Sequence, residues 1–254
     1  MNAITIVIIV VVIVLILIIL RYLLSDPYTL QGLANGKTGS KIEHSSLATN
    51  GSDAPSTNFG YSIWFYVNDW NYRYGHPKVI FGRMGKSSSS SGGSVGGMSG
   101  LDPCPAVVLG PIENNISVSL GCFPGHDGKP STSGGSTVVH TCSIANVPLQ
   151  RWVNLIVSVY GRSMDLYING KLVRTCLLPG IASVAPLAPI FVTPKGGFAG
   201  WTSKLQYYPN SLNPQQAWDI YTHGYRTSIF GSGDVQVQVS VIENGTTQST
   251  TTLG

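Results

Sequence analysis

A chain of 254 residues with 43% hydrophobic composition is long enough to build one sizeable core, and β-sandwiches of this size commonly fold as a single domain. Its net charge of +4 comes from few charges of either sign, 10% of residues in all. No run of Lys or Arg gives the basic footprint of a nucleic-acid surface, so no nucleic-acid partner is expected.

The first element is an apolar run, ITIVIIVVVIVLILIIL, opened by Ile4, closed by Leu20 and broken only by Thr5. Continued to residue 24 it reaches about 21 residues, or about 30 Å as a helix, which matches the hydrocarbon core of a bilayer. Arg21 can snorkel from the boundary, Tyr22 suits the interface, and Pro27 stops the helix. There is no basic segment before the run and no small-residue cleavage site after it, so an uncleaved single-pass anchor in a lipid bilayer is expected. Arg21, Lys37 and Lys41 follow the run while nothing basic precedes it, which favours a cytoplasmic side for the rest of the chain.

Residues 25–57 are rich in Gly, Ser, Asn and Thr and lack periodicity. They read as a linker, or as an extended arm that orders against a neighbouring subunit, able to cross about 100 Å when fully stretched.

Strand patterns begin at residues 61–67, YSIWFYV. The loop that follows carries Trp70, Tyr72 and Tyr74, aromatic side chains that either contact a partner or a sugar ring, or close the end of the core. Strands are expected at 78–81, 106–109, 116–120 and 138–139, separated by Gly/Ser-rich loops at 86–100 and 124–136. In the central stretch Val153, Leu155, Val157 and Val159 form one apolar row, and Met164, Leu166 and Ile168 form a second. Asn169-Gly170 then reads as a two-residue type I′ hairpin turn leading into a strand at 171–175. A short strand at 190–192 precedes a helix with Asn213 as N-cap, Pro214 at its first position, Gln216 completing a capping box and Gly224 as its stop. That helix is expected to bury Trp218 and Tyr221. Beyond it, Val235, Val237, Val239 and Val241 alternate with polar residues, the pattern of a strand with one dry face. Such a strand adds to the sandwich edge or pairs with another chain.

Cys104, Cys122, Cys142 and Cys176 allow two disulfides in three connectivities, or four buried thiols. Sequons stand at Asn50, Asn115 and Asn244. Catalytic signatures are weak. Gly92-Gly93-Ser94-Val95-Gly96 matches a nucleophile elbow but lacks the strand and helix around it. No strand carries a carboxylate pair for glycoside hydrolysis, the five histidines and four cysteines lack metal spacing, and Asp69, Asp102, Asp127 and Asp165 are isolated. No catalytic residue, metal or cofactor is expected.

The order of residues 147–175, VPLQRWVNLIVSVYGRSMDLYINGKLVRT, resembles the central meander of laminin-G-like, concanavalin A-like jelly rolls. Residues 61–67 and the passage from Phe198 to Gly224 are similar to that family's early and closing strands. The resemblance implies an all-β jelly-roll sandwich at 58–227 with one short C-terminal helix. Before it lie a transmembrane helix at 1–24 and the linker at 25–57; after it comes a strand and tail at 228–254. An anchored jelly roll with Gly/Ser-rich loops is also similar to minor structural proteins of large DNA viruses. That likeness implies a non-enzymatic virion protein on an internal membrane beneath the capsid, with capsid subunits as partners. The alternative is a membrane-tethered, lectin-like glycan-binding module.

Overall fold

The computed structural model of the chain describes residues 12–16, 26–49, 56–86, 95–123, 137–225, 237–243 and 246–253. Residues 26–225 form one compact unit of two antiparallel sheets. The first runs in the order β1 (Thr29–Gln31), β13 (Ala199–Tyr208), β4 (Phe59–Asp69), β9 (Trp152–Tyr160), β10 (Ser163–Ile168), β11 (Lys171–Leu177), and β2 (Ala34–Asn35) also pairs with β13. The second runs β3 (Ser40–Ile42), β12 (Ile190–Val192), β5 (Lys78–Lys86), β6 (Leu101–Leu109), β7 (Ile116–Cys122), β8 (Val138–Ile144).

Alternation decides which side chains meet between the sheets. Ile63, Phe65, Val153, Leu155, Val157, Val159, Met164 and Leu166 face Ile80, Phe81, Val107, Leu109, Ile116, Val118 and Leu120 in one buried cluster. This is the sandwich that the family resemblance implies. Asn169 and Gly170 both have positive φ, 50° and 72°, and Ile168 pairs with Lys171, as a two-residue primed turn requires.

The arm expected as a linker does not stand free. β1 and β2 add to β13, and β3 adds to β12, so residues 26–42 complete one lateral edge of both sheets and the compact unit begins at Asp26. Polar composition hid this, because edge strands of three residues with solvated side chains carry no apolar period.

The helix α1 (Pro214–Thr222) starts with the full capping box between Asn213 and Gln216. Its buried side chains are Ala217 and Ile220, which pack with Leu212 on Ile156 and Tyr167 of the first sheet. Trp218, expected inside, is 43% exposed: the face aimed at the sheet passes through 217 and 220, leaving Trp218 at the rim against Gly170.

The four cysteines divide into one disulfide and two thiols. Cys142 on β8 and Cys176 on β11 form a disulfide between the two sheets, while Cys104 and Cys122 are buried thiols. Burial pushes the Cys104 thiol up to about 11, with the neighbouring Arg83 guanidinium opposing the rise. Burial and then the Cys104 sulfur push Cys122 up to about 12. Thiolate is the reactive form. The unreduced native protein is therefore expected to show neither thiol to a colorimetric thiol reagent at pH 8, and both after unfolding in denaturant; fast titration in the native state would contradict this packing.

Of the apolar run that contains Ile4, Leu20, Arg21 and Tyr22, the described part is 12–16, which is helical. No helix among the described residues is long and apolar enough to cross a membrane, and the rest of the expected anchor lies outside them. At the other end, β14 (Val237–Glu243) pairs antiparallel with β15 (Thr246–Leu253). The expected strand, with Val237, Val239 and Val241, thus finds its partner in the chain's own tail; Val235 lies outside the described residues.

Candidate functional site

The outer face of the first sheet collects aromatic side chains by the same alternation that fills the core. With Ile63, Phe65 and Val153 turned inward, Trp64, Tyr66 and Trp152 turn outward, and the register sets Trp201 of β13 opposite Tyr66. Part of this face, at Ile156 and Tyr167, is covered by α1. The rings of Tyr221 and Tyr225, at and after the end of α1, continue that cover. Tyr221 stacks on Trp64 with centroids 5.6 Å apart and planes at 19°. Tyr225 stacks on Trp152 at 4.4 Å and 13°, and Trp152 meets Tyr66 at 5.8 Å, tilted by 57°.

Where this cover ends, Leu33, Tyr66, Asn68, Trp152 and Trp201 line a shallow open concavity of about 450 Å³. Trp201 is 45% exposed and Leu33 64%, although large apolar surfaces are usually withdrawn from water. Among the described residues Trp201 makes no contact with another aromatic ring. The exposed Asn68 carboxamide has no hydrogen-bond partner among them either. The lining holds no charged side chain, and among the described residues no cluster of His, Cys, Asp and Glu could hold a metal. The surface offers stacking area, one carboxamide and the Tyr66 phenol.

The aromatic loop marked in the sequence is engaged otherwise. Trp70 packs against the core, donates from Nε1 to the Ile112 carbonyl at 2.9 Å and carries the Lys78 ammonium 4.3 Å from its ring centre. Tyr72 is half-buried beneath Lys37, whose Nζ stands 4.7 Å from its centroid. Tyr74 alone of the three is exposed, at 55%. The sequence does hold a signal for Trp201 and Tyr66: aromatic residues on the outward phase of strands whose inward phase is already apolar. Turning that into a site requires the β4–β13 pairing.

No protein-family model matches the chain, and none of the curated proteins does. Among solved structures it is similar to the receptor binding domain of botulinum neurotoxin D, with 12% identity and a TM-score of 0.48, covering 76% of this chain and 51% of that one. It is also similar to the binding domain of botulinum neurotoxin DC in complex with rat synaptotagmin II, with 14% identity and a TM-score of 0.42, over 65% of this chain and 35% of that one. A botulinum neurotoxin type C structure described by its dependence on two ganglioside molecules matches with the same values. The chain thus spans between a third and a half of the proteins it resembles. Likenesses this distant carry no function across, and they give no support to the architectural likeness to capsid-associated proteins.

Proposed function

We propose that the chain is a non-enzymatic, lectin-like binding module, carried on the apolar segment at 4–24 as a membrane anchor, which binds saccharides on the aromatic shelf. The observation that carries the reading is Trp201, nearly half exposed beside Tyr66, Trp152 and the exposed Asn68 carboxamide. The negative face of an indole attracts the slightly positive C–H face of a pyranose, while an amide can both donate to and accept from hydroxyls. The Cys142–Cys176 disulfide supports a compartment that is oxidising, opposite to the cytoplasmic side suggested by Arg21, Lys37 and Lys41.

Full-length protein, kept in a detergent without sugar headgroups, should bind a subset of an immobilised glycan panel. Trp201→Ala should weaken that binding at least tenfold, a loss of about 1.4 kcal/mol. Tyr160→Ala, which removes a ring 69% exposed at the far end of the same sheet, should leave it unchanged. Equal binding by Trp201→Ala and the native chain would exclude the shelf.

A further inference from the structure

The chain enters the sandwich at a fixed point. The Asp26 carboxylate accepts from the Tyr28 amide at 3.0 Å, from the Thr29 hydroxyl at 3.2 Å and from the Gln206 carboxamide. Its carbonyl accepts from the Thr29 amide at 3.2 Å, and the Tyr28 ring lies 4.7 Å from that of Tyr208. The packed domain therefore begins at Asp26, with Ser25 alone between it and the apolar segment at 4–24. Two residue steps reach about 7 Å at most. With that segment across a bilayer, Asp26 stands at the headgroup layer, itself about 6 Å deep.

Strand register shows what else lies at this end of the sandwich. Tyr208 pairs with Gly60 and Gly60 with Ser158. Two residues beyond Ser158, Tyr160 pairs with Ser163 and Ser163 with Leu177. Val159, Met164 and Cys176 point into the core, so Tyr160 and Leu177 are on the outward phase. β5 starts at the end where β4 stops and returns to this one, where the Met84 amide donates to the Pro189 carbonyl at 3.2 Å and Arg83 Nη2 to the Pro186 carbonyl at 2.9 Å. Leu187 is thereby held at the same end. Leu187, Leu177 and Tyr160 are 73%, 72% and 69% exposed, the three highest values for a large apolar side chain among the described residues. Exposed leucines beside a tyrosine suit a membrane interface, where an apolar body is buried and a hydroxyl stays wet. The aromatic shelf lies at the opposite end: Trp152 and Trp201 both pair with Tyr66, seven residues along β4 from Phe59, or about 23 Å.

We propose that the end of the sandwich at which the chain enters rests on the bilayer spanned by the apolar segment, with Tyr160, Leu177 and Leu187 in its interface, so that the shelf is turned away from the lipid toward saccharides that do not belong to that membrane. This seat rests on the anchor reading and is independent of what the shelf binds. Lipid is the occupant because the reach of about 7 Å from the anchor to Asp26 leaves no room for a further protein layer, which needs about 10 Å.

The test uses the full-length chain in phosphatidylcholine vesicles with and without a nitroxide on the lipid headgroup. An environment-sensitive fluorophore is attached at Tyr160→Cys or Leu187→Cys, and for comparison at Ile112→Cys, whose carbonyl holds Trp70 at the opposite end. Cys104 and Cys122 are buried and Cys142 and Cys176 are bonded, so the new thiol takes the label. The nitroxide should dim the labels at 160 and 187 at least twofold and the label at 112 by less than a tenth. Adding Leu177→Asp/Leu187→Asp to Tyr160→Cys should at least halve the dimming at 160, because tethering alone does not need apolar side chains there. Equal dimming at 160 and 112 would mean that the domain turns freely about Ser25 and would overturn the seat, as would undimmed labels in protein that resists carbonate extraction; the anchor stands in both cases. A label at 160 shielded from water alike in detergent and in vesicles, and untouched by the nitroxide, would assign this end to a protein partner and overturn the seat as well. Protein released by carbonate would overturn the anchor reading and the seat with it, leaving the shelf to its own test.

Discussion

Replacing Cys176 with serine is expected to remove about 3 to 4 kcal/mol of stability, the loop-closure value for a crosslink between residues 34 apart in sequence. The bond ties β8 to β11, the outermost strands on one side of the sandwich, each hydrogen-bonded to one neighbouring strand. Nothing else described joins these edges covalently, and the Arg174 guanidinium, which donates to the Ser143 carbonyl at 2.6 Å, bridges the same gap with one exposed hydrogen bond. For a domain of this size the loss should lower the melting temperature by about 10 °C. Reductant should lower the native protein by the same amount and leave Cys176→Ser where it was, whereas Cys122→Ser should keep the native response to reductant. A native melting temperature indifferent to reductant would show that the edges are held by packing alone.

Gly170→Val should cost about 3 to 5 kcal/mol, from a β-branched residue forced to positive φ and from overpacking against the helix. At φ 72° a Cβ would stand 3.0 Å from Trp218 Cε3, 3.0 Å from Tyr221 Cβ and 3.2 Å from Trp218 Cα. The turn and α1 are thus packed so closely that relieving one displaces the other. Because Tyr221 also stacks on Trp64, the variant should change near-ultraviolet circular dichroism as well as the melting temperature. A stable variant with a native aromatic spectrum would mean that α1 is not seated on the hairpin.

The strands of the core are legible in the sequence because every position that faces the other sheet is apolar, at alternate residues of 61–67, 116–120 and 153–159. The turn at Asn169-Gly170 and the cap at Asn213 are legible for the separate reason that their chemistry is local. Three-residue edge strands are not, since their pairing depends on partners far along the chain. The tail hairpin is an intermediate case: Asn244-Gly245, the dipeptide that marks the central turn, also stands between β14 and β15, but the polar run of β15 hides the second strand. The shelf is half legible, since outward phase can be assigned to Trp64, Tyr66 and Trp201 individually while their assembly cannot.

The N-terminal arm sets the order in which the domain can be completed during synthesis. β1 and β2 pair with β13, and β3 with β12, strands that leave the ribosome almost a whole domain later. At ordinary translation rates that interval is about 10 to 30 s. Throughout it β4 lacks the neighbour on its β13 side, and an unpaired strand edge bearing Phe59, Tyr61, Trp64 and Phe65 is a template for pairing with another nascent chain. The arm can close both sheets only after β13 has covered β4. A chain arrested or truncated between Leu178 and Ala199 therefore holds most of its core residues and still presents a strand with four buried aromatic rings as an open edge, which makes aggregation of incomplete chains the characteristic failure of this topology.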